Sequence, residues 1–190
     1  MRHFNIAVIV GSNRRESINR QLANALRRLA PELRFIEAKI DDLPMYNQDI
    51  EKPVPDSVAR FKRTIEEADG VLVVSPEHSR SVPAVLKNAL DWGSRPWGRN
   101  SWSGKPALIT GASPGGIGTA VGQQHLRFVL GVLGATVLGG EAYLTFKQGL
   151  IDEDGAITDE TTRQFFKGHL DRFVLLVGQV SNTPVEAAAA

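Results

Sequence analysis

The chain has 190 residues, 22 Lys plus Arg against 21 Asp plus Glu, and no cysteine. That length predicts one domain with a sizeable core, expected over residues 1–182 with a flexible tail at 183–190. A near-neutral, scattered charge excludes a nucleic-acid partner, and the lack of thiols excludes disulfides, thiolate-held clusters and a cysteine nucleophile, so redox chemistry would need a bound cofactor.

No run of about 18 apolar residues occurs, and the N-terminus lacks the apolar core and cleavage site of a signal peptide. A cytoplasmic protein with no membrane partner is the expectation. Ile6 to Val10 is continuously apolar, which predicts a strand buried on both faces. Ile18, Leu22, Ala25, Leu26 and Leu29 then recur at helical spacing until Pro31. A short second strand is expected over Leu33–Ala38. The Pro-rich stretch Asp41–Pro55 reads as a long loop.

Val58, Phe61, Ile65 and Ala68 predict a second helix, and Val71–Val74 a third buried strand ending at Ser75-Pro76. Ser81 is the expected cap of a third helix, with Pro83 at its first turn. An aromatic-rich loop over Ser94–Gly104 leads to a fourth strand, Pro106–Thr110, and a glycine-rich turn, Gly111–Gly118. A fourth helix follows over Val121–Leu133, then a short fifth strand, Gly134–Leu138, which Glu141–Phe146 can extend. Thr158 is the expected opening of the last helix.

The stretch GSNRRESIN, from Gly11, lies between the first strand and the first helix. Backbone N–H groups of such a loop and the positive end of the helix converge on one anion. Ser12, Ser17, Asn19, Arg14 and Arg15 are the donors on offer, although Ser17 also suits a plain N-cap. The loop has neither GxxxxGK[ST] nor GxGxxG. One glycine followed by hydroxyls suits a terminal monophosphate, which points to FMN rather than NAD or ATP.

Strands alternating with helices predict a parallel sheet covered on both faces. The best match is a flavodoxin-like three-layer α/β/α sandwich, five-stranded, in the order 2-1-3-4-5. In such sheets ligands bind at the carboxyl ends of the strands beside the topological switch point. That rule selects the turns after strands one, three and four.

The segment SPEHSRSVPAVLKNALDWGSRP, Ser75 to Pro96, together with GSNRRESIN, resembles the signature of the NAD(P)H-dependent FMN reductase family, flavodoxin-like quinone, chromate and azo-dye reductases. The matching positions are Pro76, Glu77, Ser81, Pro83, Leu86, Lys87, Asn88, Ala89, Asp91 and Trp92. The resemblance implies that Gly11, Ser12, Arg14, Ser17, Ile18 and Asn19 hold the FMN phosphate. It implies also that Pro76, Glu77, His78 and Ser79 line the flavin edge, and that Ser113, Gly115 and Gly116 flank its other side. His78 and Ser79 stand where the family usually has Tyr and Asn; packing at the pocket rim is the simpler role for His78.

The resemblance further implies NADPH or NADH as co-substrate, a quinone, chromate, azo or nitro compound as acceptor, and a homodimer or homotetramer. The chemistry would be carried by FMN with no catalytic side chain. Loops bearing Trp92, Trp97 and Trp102 are the expected subunit contact, with Gln124 and Glu141 at a second one. The competing class is a flavodoxin-type electron carrier without its own NAD(P)H activity. TGASPGGIG at Thr110 and the YxxxK spacing of Tyr143 and Lys147 mimic short-chain dehydrogenases, but the glycine turn follows the fourth strand instead of the first. Four dispersed histidines offer no metal-ligand spacing.

Overall fold

The structure, a computed structural model, describes residues 3–182, so the tail expected at 183–190 lies outside the described residues. In chain order the elements are β1 (Asn5–Val10), α1 (Ile18–Leu29), β2 (Arg34–Glu37), α2 (Asp56–Glu66), β3 (Gly70–Val74), α3 (Ala84–Gly93), β4 (Pro106–Ser113), α4 (Ala120–Val132), β5 (Thr136–Val137), β6 (Tyr143–Thr145) and α5 (Glu160–Asn182). The sheet runs β2-β1-β3-β4-β5, all parallel, with β6 also on β4.

Alternate residues of the central strands serve opposite layers, which is why they are continuously apolar. Ile6, Val8 and Val10 pack with α1 and α5, whereas Ala7 and Ile9 pack with α2, α3 and α4. Each fully buried aliphatic side chain contributes about 1.5–3 kcal/mol. The two apolar layers grip the strands and leave their carboxyl ends to the turns.

The expected order of strands is observed, with local differences. The fifth strand is broken: β5 pairs with the start of β4 and β6 with its end, at Gly111–Ser113. Between them Arg127 of α4 takes the carbonyls of Leu138 and Gly140, while the Leu138 N–H still donates to the Ala107 carbonyl at 2.8 Å. The pairing with β6 also carries β4 three residues beyond Thr110.

Ser81 does not cap α3. Pro83 holds that position without a side-chain cap bond, and Ser81 Oγ instead lies 3.0 Å from His125 Nδ1. At the last helix the cap is Asp159, whose Oδ1 accepts from the Thr162 N–H at 2.7 Å, while Thr158 donates to the Gly149 carbonyl.

The tryptophans separate. Trp92 and Trp102 are fully buried beside Phe61, and only Trp97 stands in solvent, at 89% exposure. Two of the three are therefore core: Trp92 on the inner face of α3, and Trp102 because its loop folds inward over α2. Lys62 anchors it there, donating to the carbonyls of Gly93 and Arg99 and to Ser101 Oγ. Burial pushes the Lys62 ammonium below its ordinary pKa.

Candidate active site

The carboxyl ends of β1, β3 and β4 converge around Ser75, and two glycines permit it. A Cβ on Gly11 would meet Ser75 Oγ at 2.3 Å, and one on Gly111 would meet the Ser75 carbonyl oxygen at 2.0 Å. Gly11 N–H donates to the Val74 carbonyl at 2.9 Å, extending the ladder into the turn. Gly11 is thus buried beneath the site, as backbone support.

Above it two cavities adjoin. The first, ≈ 310 Å³, is lined by Ser12, Arg14, Ser17, Ile18 and Asn19 of the first turn, Pro76, Glu77 and His78 of the second, and Ser113 of the third. Asn13, Ala112 and Pro114 complete it, positions that neither motif singled out. The second, ≈ 450 Å³, shares Glu77 and Ser113 and adds Ser79, Arg80, Gly115, Gly116, Ile117 and Gly118. Arg15 is exposed and lines neither.

The first turn carries a donor set. Ser17 caps α1, its Oγ accepting from the Arg20 N–H at 3.3 Å, and its hydroxyl proton is left to donate. At the start of α1 the N–H groups of Ile18 and Asn19 have no intrahelical acceptor. Ser12 adds a second hydroxyl. Arg14 adds a charge that, among the described residues, is held only by a 4.0 Å contact with Glu16. Hydroxyls, helix N–H groups and a guanidinium around one hollow fit a monophosphate.

Asn19, expected as a phosphate donor, lines the first cavity and also bonds across to the third turn. At 1% exposure its side chain accepts from the Ala112 N–H at 2.8 Å and donates to the Ala112 carbonyl at 2.9 Å. It closes the floor between α1 and β4, and its remaining N–H is the most it could offer a phosphate.

The second turn is a two-residue hairpin. His78 and Ser81 exchange backbone bonds of 3.1 and 2.9 Å, and both central residues, Ser79 (φ 50) and Arg80 (φ 62), are left-handed. Glu77 fixes it from below. Its side chain is 7% exposed, one oxygen accepting from the Gly122 N–H in the first turn of α4 at 2.8 Å and the other from Arg80 at 3.2 Å. So Glu77 serves as a cap for α4, which has no side-chain cap of its own.

The rest of the second motif is scaffold. Leu86 and Ala89 enter the core, and Lys87 pairs with Asp91 at 2.8 Å one turn on. Asn88 and Trp92 hold the Pro-rich loop: Asn88 accepts from the Tyr46 N–H at 2.7 Å and both side chains donate to the Pro44 carbonyl. Their spacing of four puts them on one helical face, a signal the sequence carried.

The dehydrogenase look-alike dissolves here. Tyr143 stands on strand β6 rather than a long helix, and the glycine turn follows β4. Gln124 and Glu141, expected at an interface, bond to each other.

A parallel 2-1-3-4-5 sheet with hydroxyl donors and a helix N-terminus beneath an open, glycine-floored hollow defines the class, a flavodoxin-like mononucleotide-binding protein. Within it, the chain belongs to the NADPH-dependent FMN reductase family, whose family model matches residues 4–149. It is 47% identical over 174 residues to a 2-hydroxy-1,4-benzoquinone reductase of Burkholderia sp, covering 90% of this chain and 95% of that one. A quinone reductase of Pseudomonas putida is 43% identical over 175 residues, covering 90% and 92%. Among solved structures, the flavoenzyme NAD(P)H:(acceptor) oxidoreductase FerB of Paracoccus denitrificans superposes with a TM-score of 0.90 at 43% identity, over 93% of this chain and 98% of that one. The chain is an oxidoreductase that uses FMN and NAD(P)H, in keeping with both motifs.

Proposed function

We propose that the protein passes reducing equivalents from NADH or NADPH to small quinones, chromate, azo and nitro compounds being acceptors of the same open site. Bound FMN would supply the chemistry, accepting hydride from the nicotinamide and delivering it onward. The chain's own residues bind and orient. Ser12, Ser17, Arg14 and the N-terminus of α1 are the donors for the phosphate, and Asn19 and Gly11 hold that cradle in shape. Pro76 to Ser79 and Ser113 to Gly116 present backbone groups to a flat ring, with His78 exposed at the rim.

One observation carries this reading: the donor-rich hollow adjoins a glycine-lined one, Glu77 and Ser113 lining both. Binding and stacking need such adjacency, and no buried acid or base is required between them. A cytoplasmic location, where NAD(P)H is supplied, goes with it. So does a homodimer or homotetramer, since Phe128 (73%) and Val132 (72%) lie exposed one turn apart on α4.

The test is an absorbance spectrum of the purified protein, followed by anaerobic titration with each nicotinamide and then a quinone. A yellow protein bleached by NADH or NADPH and recoloured by the quinone is expected. A colourless protein that takes up no added FMN overturns the cofactor assignment. A flavin that neither nicotinamide bleaches makes the chain an electron carrier. Light scattering giving the mass of one chain overturns the oligomer.

A further inference from the structure

We propose that Arg80 selects negatively charged acceptors, quinones bearing an ionised hydroxyl or a carboxylate, over neutral ones of the same shape. The inference rests on the quinone-reductase reading above and names its substrate class more narrowly.

Arg80 lines the second cavity, and among the residues that do so it is the cation; opposite stand Gly115, Gly116, Ile117 and Gly118, which carry no charge. Its backbone is left-handed (φ 62), at a hairpin position where Gly or Asn is the ordinary choice. A long cationic side chain is therefore held where the turn itself favours none.

The pairing with Glu77 orients the guanidinium without exhausting it. One N–H reaches Glu77 Oε1 at 3.2 Å, and the other four have no partner among the described residues. Glu77 is itself answered a second time, by the Gly122 N–H and the positive end of α4, so the pair is not neutral toward the cavity. With the flavin ring laid along that hollow, an open guanidinium edge at its rim matches the two oxygens of a carboxylate or an ionised hydroxyquinone stacked over the ring. The 2′-phosphate of NADPH is an anion too. It would sit a ribose and a pyrophosphate away from the reacting ring, whereas Arg80 lines the cavity that meets Glu77 and Ser113.

The probes are a hydroxy-substituted benzoquinone, ionised at neutral pH, and its uncharged methoxy counterpart. Each is titrated into the oxidised FMN-loaded protein without nicotinamide, the Kd being read from perturbation of the flavin absorbance. The ratio of kcat/KM for the two is then measured with NADH as reductant. Arg80→Gln is expected to lower both preferences for the anion about three- to tenfold, the size of a charge-assisted hydrogen bond at a partly exposed site. Arg80→Lys should restore part of it, and added salt should erode the wild-type preference. Equal weakening of both quinones overturns the proposal, as does an unchanged ratio. A loss confined to KM for NADPH against NADH would assign Arg80 to the 2′-phosphate instead. Wild-type protein that holds no FMN, or that NADH does not reduce, is seen before any variant is made and rejects the underlying reading together with this one.

Discussion

Asn19 and Ala112, 93 residues apart, exchange two hydrogen bonds: the Asn19 amide accepts from the Ala112 N–H and donates to the Ala112 carbonyl. One side chain thereby completes the backbone of the fourth strand and locks the first turn against the third. Both groups are buried, Ala112 at 0% exposure, so water cannot substitute for either bond.

Asn19→Leu should therefore destabilise the fold by about 2–4 kcal/mol, because two buried backbone groups lose their partners at roughly 1–3 kcal/mol each. Urea denaturation of the FMN-free protein measures this. FMN affinity, followed by flavin fluorescence, should weaken in parallel, since the cradle loses its floor.

Gly11 and Gly111 face Ser75 from opposite sides, but their neighbours differ. An Ala at Gly111 would meet a carbonyl oxygen at 2.0 Å, which no side-chain change can remove, whereas at Gly11 the closest atom is the Ser75 hydroxyl. Gly111→Ala should cost about 3 kcal/mol or more. The cost of Gly11→Ala should fall when Ser75→Gly is added, and that of Gly111→Ala should not. A double-mutant cycle on melting midpoints separates the two cases.

Ser79 holds φ 50 in the hairpin over the site. L residues avoid that region by about 1–2 kcal/mol, part of which Gly recovers and part of which it loses to a freer unfolded chain. Ser79→Gly should raise stability by about 0.5–1 kcal/mol in urea titrations. A fall in stability would show that the Ser79 side chain holds the turn.

His169 is 6% exposed, its Nε2 2.9 Å from Arg172 and its Nδ1 3.2 Å from the Phe165 carbonyl. Burial first, and then the charges of Arg172 and Arg127, push its pKa below the ordinary imidazole value. The unfolded chain then binds the proton more readily than the fold does. The contribution of His169 is present in full above the unfolded pKa, near 6.5, and is lost as pH falls below it. Urea midpoints measured from pH 8 to pH 5 should drop less steeply in His169→Gln than in the wild type.

Much of the site's location was legible in the chain because it depends on local rules. A short, continuously apolar run bounded by turn residues reads as a strand covered on both faces, so Ile6–Val10 and Val71–Val74 were expected to be central. The alternation of strands and helices predicted a parallel sheet, the phosphate loop after the first strand matched the order 2-1-3-4-5 best, and that order sends the turns at Gly11, Ser75 and Gly111 to one edge. Ser17 as cap and Ser12 as neighbour followed from the start of the helix alone.

What sequence by itself determined is this frame: the parallel sheet, the turns at its carboxyl edge, and the family to which the two motifs belong. Tertiary structure alone decided how polar side chains pair across distance, because a hydrogen bond is satisfied by whatever the fold brings near. Hence Asn19 is turned to Ala112, Glu77 caps α4, Arg127 holds the carbonyls between β5 and β6, and Trp92 and Trp102 lie in the core. Periodicity records which face of an element is buried; it does not record which buried donor will meet which acceptor.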